Sequence, residues 1–193
     1  ALIHIERESD DAVITDKVRD WFVPESLAIS RVLEDQLVIA GDFRIDPAGH
    51  MRFAVFAHDG AGDRRVGRVV QRICEIETYK AMSMLGLARA RDLGGRLGEM
   101  DNRLTALVGD MSGTPSRPED RLTDLLRIAA ELESIVHNSS FRFTATGAYE
   151  SIVNQRIAVL REERFMGRQT FAEFMMRRFD PAMRTVASTQ ARL

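Results

Sequence analysis

The 193 residues carry 27 Lys and Arg against 29 Asp and Glu, and the formal net charge of -2 argues against general affinity for nucleic acid. A single cysteine, Cys74, excludes an internal disulfide and a zinc cluster built from thiolates. No apolar run approaches the ~18 residues that a membrane-spanning helix needs.

The charge is unevenly spread. Residues 1–65 hold 8 basic and 13 acidic side chains, residues 141–193 hold 9 and 5, so the front is acidic and the tail basic. The chain opens directly on Leu2-Ile3-His4-Ile5-Glu6, which reads as mid-strand, so a piece of a longer protein is expected.

Up to about residue 64 the pattern has period two and is rich in β-branched residues. A short helix is expected over Asp16–Trp21, then strands over Leu27–Leu33, Leu37–Ile45 and Met51–Ala57. Asp46-Pro47-Ala48-Gly49 joins the last two with the residues of a type I turn, so an antiparallel meander is expected. His58-Asp59-Gly60-Ala61-Gly62-Asp63 reads as a solvated connector. It lacks the lysine and hydroxyl of a phosphate loop and the closing glutamate of a calcium loop. A hydrolase using His58 and Asp59 is the weakest of the functional readings.

The spacing then predicts a helix from about residue 65 to 90, continuing to about Val108 with a kink or break near Gly94-Gly95. Val66, Val69, Val70, Ile73, Ile76, Tyr79 and Met82 occupy more than one side, so its first half is expected to be enclosed by neighbours. Glu75 and Glu77 point about 200° apart on such a helix and cannot share a ligand without groups from elsewhere. They are expected instead to pair with Arg72 and Lys80 at i,i+3. Arg72, Glu75, Glu77 and Tyr79 thus read as a structural hub, and Cys74 as a buried, inert thiol.

The second half places Leu93, Leu97, Met100, Leu104 and Leu107 at a/d spacing, a coiled-coil-like seam, with Gly86 and Ser83 in register for close backbone approach. A loop over 109–115 and a capping box beginning at Ser116 lead into a helix ending near Asn138-Ser139-Ser140. Phe141-Arg142-Phe143 is expected to be extended, and another helix to cover Ala145–Phe165. Thr170-Phe171-Ala172-Glu173 is a second capping box, and Asp180-Pro181 starts a last helix. Salt bridges to the acidic front are the first reading of the tail arginines, anionic lipid headgroups the second and nucleic acid the third. Glu133 and His137 share a helix face, but a histidine in a last turn serves the helix dipole more often than a metal.

Asp42-Phe43-Arg44-Ile45-Asp46, Gly67-Arg68 with Gln71-Arg72, Glu75-Ile76-Glu77-Thr78-Tyr79, Phe141-Arg142-Phe143-Thr144-Ala145, Leu160-Arg161-Glu162-Glu163-Arg164 and Pro181-Ala182-Met183-Arg184-Thr185 together resemble a bacterial family of uncharacterised membrane-anchored proteins. The resemblance runs from about residue 36 onward. It implies a domain of unknown function, on the cytoplasmic face of the inner membrane, in a protein anchored through segments outside this chain. It brings no catalytic residue.

The expected fold is α+β: an N-terminal antiparallel β-meander (1–64) packed on an elongated bundle of long α-helices (65–193). The expected function is a non-enzymatic extramembrane domain that oligomerises or docks a protein partner, with no cofactor and no nucleic acid. The alternative is a regulatory cation-sensing domain of a CorA-like ion-transport protein, by analogy of layout.

Overall fold

The computed structural model describes residues 1–109 and 117–193; the expected loop over 109–115 and the capping serine Ser116 fall largely outside them. Strand β1 (Leu2–Arg7) is followed by α1 (Asp11–Trp21), a 3₁₀ turn (Pro24–Ser26), and strands β2 (Ala28–Val32), β3 (Leu37–Ile45) and β4 (Met51–Ala57). Then come α2 (Asp63–Gly109), α3 (Pro118–Leu160), a two-residue strand β5 (Glu163–Arg164), α4 (Phe171–Arg178) and α5 (Asp180–Ala191). The α+β class expected from the sequence is the one observed.

The sheet is larger than a meander, with strand order β1-β4-β3-β2-β5. The β2–β3–β4 portion is antiparallel as expected, but β1 joins β4 in parallel and β5 joins β2 from beyond residue 160. Neither edge could be assigned from local pattern, since the partners of β1 and β5 are set by the tertiary fold rather than by a turn. The hairpin at Asp46 is as the sequence predicts. Gly49 donates its N–H to the Asp46 carbonyl at 2.9 Å with φ of +85°, and Asp46 Oδ1 accepts from the N–H groups of Ala48 and His50.

Strands β3 and β4 are buried on both faces, and so read as continuous apolar runs rather than strict alternation. Val38, Ala40, Ala54 and Phe56 join Ile14, Val18 and Phe22 of the α1 side in one core, with Trp21 stacked on Phe56. Leu37, Ile39, Phe53 and Val55 are buried on the opposite face, where Phe171 of α4 meets Phe53. Gly41 is required there: a Cβ at that position would lie 2.5 Å from the Phe53 ring. Beside it Phe43 adopts a φ of +55° in a bulge. The buried Asp42 carboxylate steadies that bulge by accepting from Val23 N–H and Arg44 N–H, each at 3.1 Å.

The long helices correct two expectations. Helix α2 is continuous through Gly94-Gly95, and α3 has no extended linker at Phe141–Phe143. Ile135, Ser139, Phe143 and Thr146 follow one another on a single buried face of α3. Burial of that face outweighs the weak helix propensity of Asn, Ser and Thr. The polar side chains bond within the helix, Asn138 to the Ser134 carbonyl and Thr146 to the Arg142 carbonyl. Helix α3 stops at Leu160, where Arg161 takes a φ of +50°.

The chain divides into two compact units. Unit 1 comprises Ala1–Ala81 and Glu150–Pro181; unit 2 comprises Met82–Tyr149 and Ala182–Leu193.

Candidate functional site

In unit 1, Val66, Val69, Ile73 and Ile76 form the buried stripe of α2. Contrary to the sequence expectation, the helix is not enclosed on several sides. Arg68, Gln71, Cys74 and Thr78 are exposed. Cys74 is therefore a surface thiol, because it lies one helical step from Ile73 on the solvent side of the stripe.

The glutamate pairings predicted at i,i+3 are present. Arg72 donates to Glu75 at 2.7 Å, and Lys80 pairs with Glu77. Glu75 also accepts from Gln71 at 2.8 Å and meets Arg156 of α3. Burial is the largest single influence on Glu75 and pushes its carboxyl up, but Arg72, Gln71 and Arg156 together hold it below the usual range. Lys80 lies 4.8 Å from the centre of the Phe43 ring, which in turn stacks on Phe174 at 4.1 Å. Tyr79 is half-buried. Each of these groups is engaged by neighbours.

A cleft of about 550 Å³ does lie beside this cluster. Arg65, Arg68 and Arg72 line it from α2, Leu33, Glu34 and Gln36 from the turn after β2, and Ala158 to Arg161 from the end of α3. Its apolar floor includes Val69 and Leu160, both almost fully buried. Arg65 bonds Gln36 Oε1, Arg72 is shared with Glu75, and Arg161 pairs with Glu34 at 2.9 Å. Arg68 has no carboxylate partner among the described residues. Sequence reasoning missed this site, although arginines at i, i+3 and i+7 on one helix face were a signal for it.

The N-terminus of α4 gathers a second group of polar side chains. Thr170 Oγ1 accepts from Glu173 N–H and Glu173 reciprocates to Thr170 N–H, the capping box expected there. Glu162 adds two further acceptors, taking Phe171 N–H at 3.0 Å and Ala172 N–H at 2.8 Å, and accepts from Ser30 Oγ at 2.8 Å. Burial nevertheless holds the Glu162 carboxyl above the usual glutamate range, outweighing those donors. The Arg164 side chain, then Thr170 N–H, keep Glu173 below it. All these acceptors are spent on the helix end, so the cluster is a cap.

In unit 2, Gly86 of α2 lies against Thr146 of α3, and Arg96 and Arg103 both reach Glu131. The two helices therefore run antiparallel. Leu93, Leu97 and Met100 are buried, as are Ile128 and Ile135 of α3 and Met183 and Val186 of α5. Leu107 is half-buried, whereas Leu104, Val108, Leu122, Leu125 and Leu126 are 42–61% exposed. Among the described residues the seam is thus buried as far as Met100, and beyond it Leu104 is exposed and Leu107 half-buried.

His58 and Asp59 do not assemble a hydrolytic site. Asp59 is exposed, and its N–H is held by Ser9 Oγ at 3.1 Å. The connector is nonetheless an ordered turn, with His58 bonded to the Gln36 carbonyl and Ala61 buried. Of the tail arginines, Arg161 reaches the acidic front at Glu34, whereas Arg164 pairs with Glu173 and Arg192 with Asp101. Among the described residues no three His, Cys, Asp or Glu side chains gather as metal ligands, and no helix is long and apolar enough to cross a membrane.

A family model described as "Protein of unknown function (DUF3422)" matches residues 1–193. The first 35 residues, which the sequence motifs left outside the resemblance, are therefore included. No curated protein and no solved structure shows significant similarity to the chain.

Proposed function

The chain belongs to this family of unknown function, and on that premise we propose that it is a non-enzymatic interaction domain that self-associates through the exposed leucines of its two long helices. The observation that carries the reading is the exposure of five large apolar side chains, Leu104 and Val108 on α2 and Leu122, Leu125 and Leu126 on α3, toward the same end of the two antiparallel helices. A monomeric protein rarely leaves so many large apolar side chains together in water. The occupant is a second copy. The a/d spacing that is filled inside the chain at Leu93, Leu97 and Met100 continues into the open stretch, so the same pattern presented by another molecule is the complementary surface.

Attachment to a membrane, through segments outside this chain, belongs to the same proposal. Its support is the motif resemblance together with Arg168 and Arg178, which have no carboxylate partner among the described residues and are available to anionic headgroups. A cation-sensing role has no comparable support.

Sedimentation velocity over a hundredfold range of concentration tests the self-association. The wild type should pass from monomer to dimer. Leu125→Asp with Leu126→Asp, at two exposed positions, should hold it monomeric with unchanged helicity. A wild type that is monomeric at every concentration would overturn the reading.

A further inference from the structure

We infer that the arginine-lined cleft of unit 1 binds a phosphate-bearing anion. Arg65, Arg68 and Arg72 share one face of α2, and Arg161 stands at the other wall of the cleft. Neutralisation is incomplete. The Gln36 partner of Arg65 is uncharged, Arg68 has no partner among the described residues, and Glu75 is divided between Arg72 and Arg156. Only Arg161 has a carboxylate to itself, Glu34. An excess of about three positive charges beside one cavity fits a phosphate or diphosphate better than a lone carboxylate. Guanidinium groups also match phosphate oxygens with paired N–H donors.

Two of the α3 carbonyls at the cleft, which would otherwise repel an anion, are tied off. The Leu160 carbonyl accepts Leu33 N–H at 3.2 Å, and the Ala158 carbonyl accepts Arg161 N–H at 3.3 Å. The exposed Val159 side chain adds apolar surface for the organic part of a phosphorylated compound.

The backbone around the cleft supplies an independent observation. Leu33, Glu34 and Arg161 line it with φ of +53°, +60° and +50°, and Asp35 follows at +62°. None is glycine, and such strain concentrates where a site must hold a fixed shape.

The test is calorimetric titration with sodium pyrophosphate at low ionic strength, beside flotation with vesicles of phosphatidylglycerol and phosphatidylcholine. Saturable binding is expected, roughly tenfold weaker in Arg68→Ala and partly recovered in Arg68→Lys. Arg68 is exposed, so both variants should fold as the wild type does, which circular dichroism checks. Pyrophosphate binding alone would identify a free phosphorylated compound. Vesicle binding that is lost in Arg68→Ala would identify a lipid headgroup, and either result supports the site. No binding to either probe, or equal affinity in wild type and Arg68→Ala, would overturn it. Leu125→Asp with Leu126→Asp lies in the other unit and should leave the titration unchanged, so this inference and the self-association stand or fall separately.

Discussion

Gly86 and Thr146 approach so closely that a Cβ at position 86 would fall 2.1 Å from Thr146 Oγ1 and 2.8 Å from its Cγ2. Alanine at 86 would gain about 1 kcal/mol of helix propensity. The overlap with a buried β-branched residue costs roughly 1–3 kcal/mol and prevails. Gly86→Ala is therefore expected to lower stability in urea denaturation, and Thr146→Ala to recover part of the loss. Additive effects of the two changes would contradict the contact.

Other glycines should behave according to their surroundings. Gly95 sits on the exposed side of α2 with nothing within 4 Å of a built Cβ. Gly95→Ala should stabilise by about 0.5–1 kcal/mol. Gly41→Ala, against the Phe53 ring, should destabilise by roughly 1–3 kcal/mol. Thermal midpoints that move in the same direction for both variants would show the packing at one of them to be misjudged.

The start of α4 rests on four acceptor side chains, Thr170, Glu173, Glu162 and Ser30. Thr170→Ala should cost about 1 kcal/mol through the lost bond to Glu173 N–H. Glu162→Gln keeps one oxygen but turns an NH₂ toward a backbone donor, so a loss of roughly 1–3 kcal/mol is expected. Hydrogen exchange should localise the first effect to Phe171–Arg178. Unchanged protection there would count against the cap.

Glu150 gives a pH signature. Burial first, and then the Asp180 carboxylate, hold its carboxyl above the usual 4.5. The folded chain keeps this proton to higher pH than the unfolded chain does. Its contribution to stability is thus full below 4.5 and is lost as pH rises through the raised value. Glu150→Gln, neutral throughout, should be more stable than wild type at pH 7, and the difference should shrink on acidification. Denaturation midpoints that coincide at pH 7 would refute it.

Local chemistry made much of the fold legible. The Asp46 turn, the Thr170 capping box and the Glu75–Arg72 and Glu77–Lys80 pairs each depend on residues within four positions of one another, where spacing alone carries the information. What escaped depends on distant partners. Strand β5 has two residues and exists because β2 offers an edge. The Asn138–Phe143 stretch is helical because Ser139 and Phe143 are buried, which propensity opposes. Cys74 is exposed despite its strongly apolar neighbourhood in sequence, because that neighbourhood maps onto only one side of the helix. The cleft was visible as three arginines on one face, but its other walls come from distant stretches, Leu33 to Gln36 and Ala158 to Arg161.

The two outer strands of the sheet have a consequence for synthesis. β2 gains its last neighbour only when Arg164 is available, long after β2, β3 and β4 have left the ribosome. During that interval β2 is a bare edge, the feature by which nascent chains associate wrongly. Everything between Met82 and Tyr149 must be made before unit 1 can close. The hairpin thus acts as a delay in the assembly of the sheet. A chain released at residue 149 would present an incomplete unit 1 to the chaperones of the cell, whatever the state of its helices.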